Sequence, residues 1–161
     1  MTTLIKSTTE AEWREVRRQG IGASDAPAIL GLSPWKTPIA LYADKLGLTE
    51  LEADESEAMK WGRRLEGVIL LAYAQDTGRT AVAGDPLTVH RSDEFPFMQT
   101  TLDGWVGAPS QPTRGVLEIK TTNAFRADDW AEGPPLMYQV QVQHALAVVG
   151  ARCGSIAVLV G

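Results

Sequence analysis

The sequence predicts an α/β fold, α+β in its arrangement, in which helices come first and a mixed sheet follows. Apolar residues recur at helical spacing up to about residue 77, whereas the segments after Gly78 are rich in Val, Thr and aromatic residues. The 161 residues, of which 44% are apolar and 22% charged, suit one globular domain. We therefore expect a single domain over residues 1–161, truncated after Gly161 because the chain stops on an apolar strand.

Helix-starting and helix-ending residues divide the first half of the chain. Ser, Thr and Asp start helices because their side-chain oxygens accept hydrogen bonds from free backbone N–H groups, and glycine ends them in the left-handed region. Trp13, Val16 and alternating charges predict a short amphipathic helix over residues 10–18. On the same grounds we predict three more helices: Ser24-Asp25 to Gly31, Thr37 to Gly47, and about residue 57 to about residue 77.

The second half of the chain is typical of strands with one helix between them. Three segments are rich in β-branched and aromatic residues and are separated by turn residues, which predicts strands over residues 81–90, 97–106 and 116–121. Pro134-Pro135 starts a helix that ends near Gly150. The apolar run at residues 155–160 predicts a last, buried strand.

The cysteine content and the polar N-terminus narrow the class of protein. A single cysteine excludes an intramolecular disulfide framework and any metal site held by four thiolates of this chain. The first residues lack the apolar core of a secretory signal, and no apolar run approaches the roughly 20 residues of a membrane span. We therefore predict a cytoplasmic protein with no membrane partner.

The net charge of -5 at first argues against DNA as a partner. One acidic segment, however, accounts for all of it, because the remaining acidic and basic residues balance at 15 against 15. Its members are Glu50, Glu52, Asp54, Glu55 and Glu57. We expect this segment to face away from any DNA.

Two short segments carry the residues with the clearest chemistry, TLDG at residues 101–104 and LEIK at residues 117–120. On a strand, Glu118 and Lys120 emerge on the same face, and burying such a pair is costly unless each charge has a partner. If the strand bearing Asp103 lies alongside, Asp103 and Glu118 can bind a divalent metal together with the backbone carbonyl of Ile119. These oxygen ligands suit Mg2+ or Mn2+. Lys120 would then orient or deprotonate an attacking water, as phosphodiester hydrolysis requires, although this spacing alone is also typical of a surface salt bridge.

Asp103 followed by Glu118-Ile119-Lys120, after helices and within three strands, resembles the core of the PD-(D/E)xK nucleases. More narrowly, the chain resembles the YqaJ-type viral recombinases, the lambda exonuclease family, over nearly its whole length. Five segments in order carry the resemblance: WREVRRQGIGASDAPAILG, WGRRLE, TLDG, LEIKTT and YQVQVQHAL, starting at Trp13, Trp61, Thr101, Leu117 and Tyr138. Leu102 departs from the proline of the superfamily motif, at a position that tolerates change.

The resemblance implies a fold, an activity and partners. The fold is a restriction-endonuclease-like PD-(D/E)xK core, a mixed central sheet flanked by helices, with an N-terminal helical part. The activity is 5'-to-3' exonucleolytic degradation of linear double-stranded DNA in phage-type recombination, with Mg2+, two ions per site, and Mn2+ as a substitute. Family members of the lambda type bind double-stranded DNA ends, form homotrimers and hand their single strand to an annealing protein, in the cytoplasm of a bacterial host as phage or prophage products.

The resemblance also implies roles for residues outside the Asp103, Glu118 and Lys120 set. Glu66 matches a helix carboxylate that completes the metal site, the alternative being a solvated helix residue. Arg17 and Ser24 match residues that hold the 5'-phosphate of a DNA end, which is physically sensible because Ser24 and free N–H groups would lie at a helix N-terminus. Arg18 remains an alternative to Arg17.

Three further positions have both a functional and a structural interpretation. Thr101 matches a hydroxyl at the 5'-phosphate and scissile end, or is a plain strand threonine. Gln143, with Gln141 next, matches a glutamine that touches metal-bound water or substrate, the alternative being helix-surface glutamines. The Arg63-Arg64 pair either contacts DNA phosphates or is solvated.

Two other functions suit the same residues. One is a restriction-like endonuclease on the same core, and the other is a non-catalytic module that binds DNA ends. His90 and His144 lie far apart in the sequence without a third ligand, so we predict structural roles for both and no zinc site.

Overall fold

The computed structural model describes residues 1–49, 56–108 and 111–161. Its helices there are α1 (Glu10–Arg18), α2 (Ala26–Ile29), α3 (Pro38–Lys45), α4 (Glu57–Thr77) and α5 (Leu136–Val149). Its strands are β1 (Thr2–Lys6), β2 (Thr80–Ala83), β3 (Thr88–Ser92), β4 (Gln99–Thr100), β5 (Gly104–Ala108), β6 (Gln111–Thr122) and β7 (Cys153–Val160), and a 3-10 segment covers Ala124–Trp130. The predicted mixture of helices and a mixed sheet is confirmed. Of the acidic segment, Glu50 to Glu55 lie outside the described residues, so its predicted orientation stays a prediction.

Side-chain caps and glycines set the helix boundaries. The hydroxyls of Thr9, Thr37 and Ser56 accept hydrogen bonds from backbone N–H groups in the first turns of α1, α3 and α4. Gly78 and Gly150 end α4 and α5 with φ angles of 65° and 68°, which glycine adopts without steric cost. Within the described ranges, the helices are too short or too polar to cross a membrane.

The predicted strand over residues 116–121 is present within β6, whereas the other two predicted strands are each divided between two separate sheets. One has the order β2-β5-β6-β7, with β6 and β7 parallel, and the other has the antiparallel order β1-β3-β4. The prediction that residues 81–90 and 97–106 each form one strand is wrong, because each segment passes from one sheet to the other. At the first break the Asp85 carboxylate accepts hydrogen bonds from the Leu87 N–H and the Thr88 hydroxyl, which stabilises a turn.

The first and last strands also differ from prediction. β1 pairs with β3 from Thr2 opposite Ser92 to Lys6 opposite Thr88, although no strand was predicted in this short polar stretch. β7 lies at the edge of its sheet beside β6, and only Ala157 in it is buried. The prediction of a buried last strand is therefore wrong, although the strand itself is present.

The four-stranded sheet packs against α4 and α5 through two apolar clusters. The cluster shared with α4 contains Ile69, Leu70, Val106, Leu117, Ile119 and Ala157. The cluster shared with α5 contains Ala23, Leu102, Val116 and Ala145. Because successive strand residues point to opposite faces, Glu118 and Lys120 lie on the same face of β6 as Val116. The central strand β6 thus presents two charged side chains on the face packed against α5.

Candidate active site

The pairing of β5 with β6 brings Asp103 next to Glu118. Asp103 directly precedes β5, and Gly104 pairs with Leu117 in the antiparallel register. The Ile119 N–H donates a hydrogen bond of 2.8 Å to Asp103 Oδ2. The strand arrangement on which the predicted carboxylate pair depends is therefore present.

Lys120 forms an ion pair with Glu118 at this site. Its Nζ donates to Glu118 Oε1 and lies 5.5 Å from the ring centroid of Tyr138 on α5. Burial works against the charge of Lys120, but the carboxylates of Glu118 and Asp103 outweigh it and raise the Lys120 pKa above its ordinary value. Lys120 is therefore a cation at neutral pH in this arrangement.

Asp103 lacks enough positive charge around it to stay easily ionised. Its burial, and next the charge of Glu118, raise its pKa from 3.8 to about 7, although Lys120 and the Ile119 N–H act in the opposite direction. One ammonium group thus faces two adjacent carboxylates. This excess of negative charge is what a bound cation would neutralise.

Glu66 reaches the same charged region from α4. Burial raises the pKa of this half-buried carboxyl, while the positive charges of Lys120 and Arg63 lower it and the charge of Glu118 raises it further. Gly62, one turn earlier, lies close to β6, since a Cβ there would be in ordinary van der Waals contact with the Thr121 hydroxyl oxygen. Glu66 therefore lies within electrostatic range of Glu118 and Lys120.

The donors around Asp103 suit a hard divalent cation. The available groups are carboxylate oxygens and a backbone carbonyl, which are the ligands that Mg2+ and Mn2+ prefer. Across the described parts of the chain, no three Asp, Glu, His or Cys side chains converge closely enough to make a metal site by themselves. Asp103, Glu118 and the Ile119 carbonyl thus stay the predicted ligands, with Glu66 within electrostatic range of Glu118.

The residues predicted to hold a 5'-phosphate are brought together by Trp13. Arg17 Nη2 donates a hydrogen bond of 2.9 Å to Ser24 Oγ, and its guanidinium lies 4.6 Å from the Trp13 ring centroid. The Trp13 Nε1–H donates in turn to Thr101 Oγ1 at 3.0 Å. Sequence reasoning assigned Trp13 no role at the site, although its spacing of four from Arg17 on one helix was a usable signal.

Arg17, rather than Arg18, faces Ser24. Arg18 Nη2 donates to the Thr49 carbonyl at 3.1 Å, and its Nη1 lies 3.7 Å from Glu15. Of these adjacent arginines, between which the sequence left the choice open, Arg17 is the one beside Ser24, and its phosphate-binding role stays a prediction.

The predicted helix N-terminus at Ser24 is wrong in one respect. α2 has only four residues and starts after Asp25, whose backbone N–H, like that of Ala26, donates to the Gly22 carbonyl. These N–H groups are therefore not free to bind an anion. The Ser24 hydroxyl and the Arg17 guanidinium are the side-chain groups that a phosphate could meet at this point.

The orientation of α5 favours Gln141 over the predicted Gln143. Tyr138, whose ring lies near Lys120, shares a helix face with Gln141, three residues on, and with buried Val142. Gln143 is exposed on another face, and Gln139 donates its amide to the Pro134 carbonyl. The helix face therefore favours Gln141 over the predicted Gln143, and the role of either glutamine at the site stays a prediction.

The two histidines and Arg64, the other polar residues considered from the sequence, each contact a neighbouring residue. His90 packs edge-on against Trp105 at 5.6 Å, and His144 Nε2 lies 3.1 Å from the carbonyl oxygens of Ile21 and Gln99. The Arg64 guanidinium lies 5.1 Å from the centroid of the exposed Trp61 ring. These contacts agree with structural roles for the two histidines.

Gly84 supports the backbone that carries Asp103. Its N–H donates to the Asp103 carbonyl at 2.9 Å, and a Cβ there would lie 1.9 Å from the Leu102 carbonyl oxygen. We expect Gly84→Ala to displace Asp103 and to lower the nuclease activity that the resemblance implies by up to about a hundredfold. Gly67→Ala on α4, where a Cβ meets nothing within 4 Å, is the matched control. Equal activity of both variants in a nuclease assay would contradict this prediction.

Comparison with known proteins gives matches over most of the chain. A family model for a YqaJ-like viral recombinase domain matches residues 12–152. The chain is 37% identical over 153 residues to the uncharacterized protein YqaJ of Bacillus subtilis, covering 93% of this chain and 46% of that protein. It is 29% identical over 113 residues to protein D345L of African swine fever virus, covering 68% of this chain and 31% of that protein. The chain thus spans about half the length of the first relative and less of the second.

Two solved structures share the fold. One is the alkaline exonuclease LHK-Exo from Laribacter hongkongensis, with a TM-score of 0.68, 21% identity and coverage of 92% of this chain and 74% of that one. The other is LHK-Exo in complex with dAMP, with a TM-score of 0.67, 21% identity and coverage of 91% and 73%. This similarity confirms the predicted fold class, an α/β fold with a mixed sheet flanked by helices.

Proposed function

Because this chain belongs to the YqaJ-like viral recombinase domain family, we propose that it is a metal-dependent exonuclease that degrades linear double-stranded DNA from the 5' end. The observation that carries the proposal is the Asp103, Glu118 and Lys120 cluster on paired strands. The solved exonuclease structures with the same fold support a DNA substrate.

The arrangement of the two clusters supports attack near a 5' end. Thr101 belongs to the Trp13–Arg17–Ser24 cluster and is only two residues from Asp103, so their Cα atoms are at most about 7 Å apart. A 5'-phosphate on Arg17 and Ser24 would therefore leave the next phosphodiester close to the carboxylates. This spacing favours removal of short products from an end over cleavage within a duplex.

The donor set assigns each group a task. Mg2+, or Mn2+ in its place, would be held by Asp103, Glu118 and the Ile119 carbonyl, with two ions if Glu66 also takes part, and would stabilise charge on a phosphate oxygen. Lys120, as a cation, orients a water or a phosphate oxygen through its N–H donors and supplies positive charge where negative charge develops. Because its pKa is raised, Lys120 is better suited to this electrostatic task than to removing a proton from the water as a base.

A comparison of linear and closed circular DNA tests the proposal. In the presence of Mg2+ we expect the protein to digest a linear duplex and to leave a covalently closed circle of the same sequence intact, because a circle offers no 5' end. Gel electrophoresis over time with both substrates in one tube is the measurement. Cutting of the circle would favour the endonuclease alternative, and binding of ends without digestion would favour the non-catalytic module.

The state of the 5' end should affect the rate. We expect 5'-phosphorylated ends to be digested about tenfold faster than 5'-hydroxyl ends, since charge-assisted hydrogen bonds from Arg17 and Ser24 contribute roughly 1.5–3 kcal/mol. Initial rates on two otherwise identical duplexes provide the measurement. Equal rates would rule out this phosphate anchor while leaving the metal site untouched.

The assembly and the partner implied by the family also remain proposals. We propose a homotrimer that hands its single strand to an annealing protein in the bacterial cytoplasm. Sedimentation velocity with and without DNA measures the first, and a monomer at every concentration would contradict it.

A further inference from the structure

The C-terminal end of α1, which carries Arg17, is held by a buried glutamine. Gln99 is fully buried, and its Nε2 donates to the backbone carbonyls of Arg17 at 2.7 Å and Val16 at 3.3 Å. Its Oε1 accepts a hydrogen bond of 3.0 Å from Arg91. Carbonyls in the last turn of a helix lack the usual partner within the helix, so the Gln99 amide helps to hold this helix end in place.

Lys45 of α3 connects this helix end to the turn that bears Ser24. Its Nζ donates to the same Arg17 carbonyl at 2.8 Å and lies 2.6 Å from Asp25 Oδ2. Asp25 is 4% exposed and also accepts a hydrogen bond of 2.8 Å from the Gly22 N–H. One ammonium group therefore bridges the backbone of Arg17 and the residue next to Ser24.

The charge of Asp25 gives Lys45 a second effect. A buried carboxylate directly beside Ser24 would repel an incoming phosphate, and in a low-dielectric setting that repulsion is poorly screened. Lys45 neutralises this carboxylate at hydrogen-bond distance. Without Lys45, the phosphate would meet both a displaced Arg17 and an uncompensated negative charge.

From this network we propose that Lys45 and Gln99 are positioning residues for the 5'-phosphate anchor. Between them they contact the Arg17 carbonyl and the Asp25 carboxylate, so they act through Arg17 and Asp25. The proposal rests on the phosphate anchor of the proposed function. It predicts an effect on the choice of DNA end that a general loss of stability would not produce.

The test compares four variants with the wild-type protein. Lys45→Met and Gln99→Met remove the two donors, and Lys45→Met combined with Asp25→Asn removes both charges of the pair. Lys36→Met is the matched control, because Lys36 pairs with Asp44 at 3.0 Å beside the same helix but does not contact Arg17. Circular dichroism identifies the folded variants, and initial rates are measured on 5'-phosphoryl and 5'-hydroxyl duplexes.

We expect Lys45→Met and Gln99→Met to lower the ratio of the two rates by about fivefold, with the 5'-hydroxyl rate within about twofold of wild type. The double variant should recover part of the ratio, because the repulsive charge is gone, and Lys36→Met should keep it. An unchanged ratio in both folded single variants would overturn the inference.

A second measurement separates this inference from the proposed function. Arg17 stacks on Trp13, so a shift of Arg17 changes the surroundings of the Trp13 indole N–H, whose NMR signal is assigned with Trp13→Phe. We expect that signal to move in Lys45→Met and to stay in Lys36→Met. If wild type shows no preference for 5'-phosphate but the signal moves, the anchor fails and only the positioning of Arg17 by Lys45 stands. If the preference is present and neither the signal nor the ratio moves, the positioning fails and the anchor stands.

Discussion

Replacing Lys120 with alanine is expected to lower Mg2+-dependent DNA digestion by about 10²–10⁴-fold, the range typical of lost acid–base or electrostatic assistance in a transition state. The reason is that Lys120 supplies the only ammonium group in contact with Glu118 among the described ion pairs, and its pKa is raised so that the charge persists at neutral pH. Single-turnover rates on a linear duplex measure the loss.

The controls for this prediction use other lysine variants. Lys120→Met keeps the aliphatic stem near Tyr138 and should lose the same activity, which separates charge from packing. Lys60→Ala on α4, whose partner Glu57 is exposed, should keep wild-type activity. Mg2+ should still raise the melting temperature of Lys120→Ala, since a ligand that binds the folded state stabilises it and Lys120 is no ligand. Full digestion activity in Lys120→Ala would remove the proposed mechanism.

The carboxylate cluster was predictable because strand geometry is simple. Side chains alternate between the two faces of a strand, so Glu118 and Lys120 lie on one face independently of the rest of the fold. The pairing of β5 with β6 then brings Asp103 beside them. Helix ends were predictable for a similar reason, since a hydroxyl cap or a left-handed glycine acts within one turn. These parts of the structure depend on local chemistry.

The parts that failed depend on tertiary packing. Which glutamine of α5 faces the site is decided by the face that packs on the sheet, and the apolar stripe through Tyr138, Val142 and Ala145 was the signal that pointed to Gln141. After the break of residues 81–90 at the Asp85 turn, the two strands join different sheets, and the close approach of Gly84 to the backbone of residues 102–103 that accompanies this break joins segments distant in sequence. Trp13 was missed because its partner Thr101 is 88 residues away.

Replacing Asp103 with asparagine is expected to stop digestion and yet to stabilise the metal-free protein at pH 8. Asparagine keeps an oxygen to accept the Ile119 N–H hydrogen bond but carries no charge, so a cation loses one of its two carboxylate ligands. We expect Mg2+ to raise the melting temperature of the variant by much less than that of the wild type. Asp76→Asn, an exposed carboxylate on α4, is the control and should change neither activity nor the response to Mg2+.

The stabilisation follows from the sign of the Asp103 pKa shift. Because burial and then Glu118 raise this pKa to about 7, the folded metal-free protein holds a proton that the unfolded chain releases near pH 4. The free energy of unfolding therefore falls as the pH rises from about 4 to 7. Above that range the buried, ionised carboxylate continues to destabilise the folded state. The Asp103→Asn variant avoids this destabilisation, which amounts to about 1–3 kcal/mol at pH 8. Its melting temperature should therefore exceed that of wild type by roughly 3–8 °C at pH 8. The difference should shrink toward zero at pH 4. A variant that melts below wild type at pH 8 without metal would show that the charge at Asp103 is already compensated, and the case for a cation beside it would lose its electrostatic basis.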